Sequence, residues 1–166
     1  MALDTTIGGT ASDSYVTFAE FQAYWTARGV NMTQHGHDTS HEANLRSAAQ
    51  YLDSFYRFVG MKQYQFQARA WPRLVNQLVD DWPIDPDTIP RAIKDAQMEM
   101  AYLIHEGATP FAAIDGLVKR KREKLDVIEE ETEYFGGQGK PSYPSVATLL
   151  REYITGGPGK ARMVRG

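Results

Sequence analysis

Three histidines, His35, His37 and His41, stand in an H-x-H-x3-H spacing with Asp38 among them. Imidazoles beside a carboxylate form a donor set that zinc or nickel accepts. The helical metalloprotease pattern would need a second histidine four residues after His41, and Leu45 occupies that place. In a polar loop these residues read better as solvated histidines than as ligands. Gly139-Lys140 suggests a phosphate loop, but Pro141 stands where a magnesium-binding Ser or Thr belongs, and Tyr134 replaces the first glycine. There is no nucleophile elbow and no dinucleotide-binding glycine fingerprint. The absence of cysteine removes disulfides, thiolate ligands and thiol nucleophiles together. The expectation is a protein without catalytic, cofactor-binding or metal-binding residues, acting through contacts alone.

The residues suited to contacts fall in three places. Trp71-Pro72-Arg73 closes a glutamine-rich stretch that also holds Tyr64, Phe66 and Arg69, with Trp82 beyond it. Arginine interleaved with aromatics can stack on nucleic-acid bases. The same composition fits an anchor tryptophan with a stacked arginine that fastens a loop to its domain, and this is the favoured reading. So many aromatics either fold back on the domain or pack against another subunit. Lys119, Arg120, Lys121, Arg122 and Lys124 then form a basic run, followed by Glu129, Glu130, Glu131 and Glu133. That pattern suits a nucleic-acid patch or a charge-complementary contact between copies. Finally, Lys160, Arg162 and Arg165 end the chain without an acidic residue among them, either as a docking arm or as an end without a role.

Four helices must position these residues. Thr17 caps the first, with Glu20 completing a capping box, and Gly29 ends it. In the second, Leu45, Ala48, Ala49, Leu52, Phe55 and Tyr56 recur at three- and four-residue spacing. Thr39 and Glu42 are its expected capping box and Gly60 its expected stop. A third helix runs from about Ile89 to Glu106, with Pro90 at its first position and Gly107 after it. A last one runs from Ser145, as cap, to Ile154. Residues 114–134 lack a helical stripe and read as extended or hairpin-like, and glycines 136, 137 and 139 with Pro141 form a joint. The expected fold is mainly α: a small bundle of about four helices, a short β-hairpin and a flexible basic tail. Its organisation is an N-terminal arm (1–14), held only if something ties it down, a helical domain (15–155) and a tail (156–166).

Composition sets the outer limits. A chain of 166 residues suits one domain, and a net charge of −3 does not demand a polyanionic partner. The first residues lack the basic and apolar regions of a signal peptide, and no stretch approaches the roughly 18 apolar residues that span a bilayer.

One pattern is more specific. The run A-A-x-Y-L-D-S-x-Y-R-F-x-G followed by Q-A-x-A-W-P-R, resting on Tyr51, Leu52, Asp53, Phe58, Gly60, Gln67, Trp71, Pro72 and Arg73, resembles the small head–tail connector (adaptor) proteins of tailed bacteriophages. Sequences of this type are also described as primosome-like (DnaT-like) single-stranded-DNA-binding proteins. The resemblance covers roughly residues 14–134. It implies a structural virion protein, made in the host cytoplasm and located at the neck, forming a ring of about twelve copies. That ring would sit between the portal protein and a stopper, tail-tube or tail-terminator protein, with DNA passing through unbound and no membrane involved. It also implies ring contacts from the β-rich region holding Lys119, Arg120, Glu129 and Glu130, and from the loop at Trp71, Pro72 and Arg73. The tail with Lys160, Arg162 and Arg165 would bind the portal, although the joint at 136–141 and these last basic residues match no family motif. The alternative is a single-stranded-DNA-binding module using Trp71, Arg73 and the basic run at 119–124.

Overall fold

The computed structural model describes residues 2–32, 38–79, 81–112, 118–122, 131–134 and 141–157. Helix α1 spans Phe18–Thr26. Its start is the expected reciprocal cap: the Thr17 hydroxyl accepts from the Glu20 amide at 3.2 Å, and the Glu20 carboxylate accepts from the Thr17 amide at 2.7 Å. Helix α2 spans Asp38–Phe55 and buries Leu45, Ala48, Ala49 and Leu52 of the stripe that the spacing predicts, together with Tyr51, which the spacing does not include. Its ends differ from expectation. The helix begins at Asp38, so Thr39 lies inside the first turn instead of capping it. It stops at Phe55, well before Gly60.

Helix α3, Arg91–His105, presents Ile93, Ala96, Gln97, Met100 and Ala101 to the interior and packs on α2. Pro90 is its cap residue, one place earlier than expected, and Gly107 follows with a positive φ. Helix α4 is shorter than its apolar pattern suggests. It covers Pro144–Leu149 with Tyr143 as cap, and a single 3-10 turn at Arg151–Tyr153 follows. Pro144 at the first helical position, not Ser145 as cap, sets this start.

Six short strands, in three pairs, replace what the periodicity leaves as loop. β1 (Arg57–Phe58) pairs antiparallel with β8 (Ile154–Gly156). β2 (Met61–Lys62) pairs with β3 (Arg73–Leu74), and β4 (Leu78–Val79) with β5 (Trp82–Pro83). Among the described residues the fold is therefore mixed: the four helices expected, joined by small antiparallel strand pairs that make it not clearly a mainly α bundle. Segments of two or three residues are too short for an alternating pattern to reveal them.

Residues 110–141 form a separate compact unit. Within it β6 (Val118–Arg122) pairs antiparallel with β7 (Glu131–Tyr134), in a register that sets Arg120 opposite Glu133 and Arg122 opposite Glu131. The hairpin reading of this segment holds for these strands. The basic and acidic runs are thus largely the two strands of one ladder. Glu129 and Glu130 lie outside the described residues.

The N-terminal arm has the fastening it required. Arg46 on α2 pairs with Asp13 at 2.6 Å and donates to the Ala2 carbonyl at 3.1 Å. Asp13 in turn accepts from the Asp4 amide at 2.8 Å. Gln97, fully buried on α3, accepts from the Tyr15 amide at 2.9 Å and donates to Ser14 Oγ and the Leu45 carbonyl. A buried amide with every contact satisfied fixes register between the arm and both long helices.

Candidate functional site

The loop between α2 and α3 is built on one buried node. Asp53, in the last turn of α2, accepts a very short hydrogen bond from the Tyr15 hydroxyl and another from the Ala70 amide at 3.2 Å. Its second oxygen also faces Arg69 at 3.4 Å. The Tyr15 oxygen accepts from the Ala70 and Trp71 amides at 3.0 and 3.3 Å. Burial pushes the Asp53 carboxyl above its ordinary range, against the Tyr15 hydroxyl and Arg69, which act to lower it. Burial and the Asp53 charge together hold the Tyr15 phenol well above its ordinary value, so it serves as a donor throughout. The node secures two backbone amides that no strand partner satisfies.

Trp71 follows at once and is only 1 % exposed, edge-on to Phe58 and Tyr153. Its peptide bond to Pro72 is cis. Arg73 spends its guanidinium on three backbone carbonyls: Val59 at 2.7 Å, Gly60 at 2.6 Å and Ala70 at 3.1 Å. Gln67, also buried, donates to the Arg69 and Pro72 carbonyls and accepts from the Tyr64 amide. Gly60 turns between β1 and β2 at φ 70°, where an added Cβ would lie 2.0 Å from the Leu74 carbonyl oxygen. The sequence motif is thereby accounted for: Asp53, Gly60, Gln67, Trp71, Pro72 and Arg73 fasten the loop. Trp71 is buried as an anchor and presents no face on which a base could stack, while Arg73 is partly exposed and held by carbonyls where the expectation had it stacked.

What the loop sends outward is different. Met61, Tyr64, Phe66, Leu74, Leu78 and Trp82 are exposed, with Phe66 at 74 % and Trp82 at 76 %. Met61 and Leu74 are direct cross-strand partners on β2 and β3, while Trp82 stands opposite Val79 and Leu78 opposite Pro83. Adjacent positions on a ladder point to opposite sides, so the β4–β5 pair is apolar on both. The stretch around Trp82 is acidic: Asp81, Asp85 and Asp87 are exposed, and Asp87 accepts from the Tyr64 hydroxyl at 2.8 Å. Of the loop's cations Arg69 is paired with Asp53, while Arg73 and Lys62 are held by neutral backbone carbonyls and keep their charge, Lys62 on the Gln67 carbonyl at 3.1 Å. Tyr64, Phe66 and Trp82 were expected either to fold back on the domain or to pack against another subunit, and they do not fold back; the exposed aliphatic residues beside them were not foreseen, because the short strands that expose them leave no periodic signal.

Of the other anticipated positions, Lys119 and Arg120 lie on β6, in the second unit, with no placement relative to Trp71. Lys160, Arg162 and Arg165 lie outside the described residues, as do His35 and His37. His41 is not solvated: it is fully buried, stacked on Phe18 and 5.0 Å from the His105 ring. The turn of α2 that carries it faces α1, which the polar sequence around it disguises. Among the described residues no group of three potential metal ligands converges. No helix among them is long and apolar enough to cross a membrane.

The described domain thus carries a tightly pinned loop that bears outward aromatics. The profile of the family described as "putative DnaT-like ssDNA binding protein" matches residues 1–166, and the chain belongs to that family. Comparison with curated proteins and with solved structures returns no match.

Proposed function

We propose that the protein is a non-catalytic assembly subunit, a head–tail connector that closes a ring of about twelve copies through heterologous contacts. In this reading it belongs to the virion neck, takes the portal protein on one side and a stopper or tail protein on the other, and lets DNA slide through. The single observation that carries it is the set of exposed apolar side chains on β2–β5, with Phe66 and Trp82 three-quarters exposed beside aspartates. Apolar surface of this kind gains stability when covered by protein. Free aspartates beside it repel phosphate.

A second reading, single-stranded-DNA binding, is the one that the family description favours; that description offers nothing for the connector reading, which rests on the motif resemblance and on this surface. On the observed geometry its stacking platform would be Tyr64, Phe66 and Trp82, since Trp71 is buried.

One pair of measurements separates the two. Light scattering after size exclusion, with and without portal assemblies from the same source, should show comigration at a ring-like mass under the connector reading. Labelled single-stranded DNA should then remain unshifted at physiological salt. A monomer that ignores the portal and shifts DNA in a salt-dependent way establishes the second reading instead.

A further inference from the structure

We propose that the basic segment 158–166 docks on the exposed apolar loop of its own chain, covering Trp82 and neutralising Asp81 and Asp85. Three observations converge on this occupant. The first is position. The described chain ends just after β8, which pairs with β1 immediately before the loop, in the register Arg57 opposite Gly156. Val59 donates to the Tyr153 carbonyl at 3.0 Å, and Gln77, next to β4, donates to the Glu152 carbonyl at 2.8 Å. The segment is therefore tethered beside the start of the loop and close to Gln77, which precedes β4. The second is length. Residues 158–166 in extended form span up to about 30 Å, and β4–β5 is only a two-residue ladder, about 7 Å along each strand.

The third is chemistry. The segment reads PGKARMVRG, alternating Lys160, Arg162 and Arg165 with the apolar Ala161, Met163 and Val164. The loop offers the complement around β4–β5, the exposed Leu78 and Trp82 flanked by the exposed Asp81 and Asp85. A second copy docking by the same loop would bring aspartates against aspartates, which disfavours a symmetric pair. If the connector reading holds, on which this consequence rests, one segment serves two ends: portal binding draws it away and frees Trp82 for the neighbouring subunit. Ring closure would then be confined to the portal.

The test uses an internal reporter. Trp25 and Trp71 are buried, so Trp82 is the one tryptophan open to a quencher in the folded domain. Acrylamide quenching is measured on the full chain and on its triple variant K160E/R162E/R165E, each with a Trp82→Phe control to isolate the Trp82 signal. The expected result is a quenching slope that rises at least about twofold in the triple variant, as required if the segment covers Trp82 in more than half of the molecules. It should also rise in high salt and not depend on protein concentration. Equal slopes for the two chains overturn the proposal. Protection that appears only as concentration rises also overturns it, assigning the segment to a second copy. Because the measurement needs no portal, its failure leaves the connector reading to be judged by comigration alone.

Discussion

The loop between α2 and α3 contains two populations of the same residue types, and they do opposite things. Trp71 and Arg73 face inward, one packed against Phe58 and Tyr153, the other spent on three carbonyls. Phe66 and Trp82, a few residues to either side, face outward. The inward set holds most of the motif by which the sequence resembles a family; the outward set holds the surface on which a partner can act. A motif can thus identify a loop's fastening without touching its function. The same contrast explains why arginine beside tryptophan, read as a base-stacking pair, is here a structural clamp.

The contrast makes graded predictions. Trp71→Ala should cost about 3–5 kcal/mol, the range for emptying a buried aromatic site, measured as a fall in urea midpoint. A loss near zero would mean that Trp71 is not the anchor and would erase the distinction. Gly60→Ala comes next, at about 1–3 kcal/mol for the strained backbone, with the Leu74 carbonyl contact adding to it. Circular dichroism should show the helices of this variant intact while protease cuts the loop.

Asp53→Asn probes the node through pH. Burial raises the Asp53 carboxyl above the ordinary 3.8, so the folded chain retains its proton where the unfolded chain has released it. The stability from that proton is fully present below 3.8 and is lost as pH rises through the higher folded value. Wild type should therefore gain on the Asn variant as pH falls through that window. A gap in urea midpoints that stays flat with pH would show a carboxylate no worse solvated than in the unfolded chain. The smallest effect on folding belongs outside: Trp82→Ser should change stability by no more than about 0.5 kcal/mol. The same change should abolish comigration with the portal if the connector reading is right. A large loss of stability instead would place Trp82 with the inward set.

Much of the helical framework was legible. The stripe on α2, the Thr17–Glu20 box and the α3 pattern are local features, each decided within a few turns of chain. The extended character of 118–122 and 131–134 was legible as well, from the lack of an apolar stripe. Thr39, Gly60 and Ser145 are residues with good capping or stopping chemistry, yet α2 begins at Asp38 and ends at Phe55, and α4 starts at Pro144 with Tyr143 as cap. Histidine 41 looked solvated because its sequence neighbours are polar, while its spatial neighbours are Phe18, Phe21 and His105.

By itself the sequence determined the helical segments, the absence of thiol chemistry, the fixed inventory of aromatic and charged groups and the motif of the loop. Only the tertiary structure decided which aromatics face water. That choice depends on groups distant along the chain: Tyr15 reaching Ala70 and Trp71, Asp53 meeting Arg69, and β8 returning to β1. Burial is a property of the assembled neighbours, and a tryptophan carries the same composition whether it closes a core or waits at its edge.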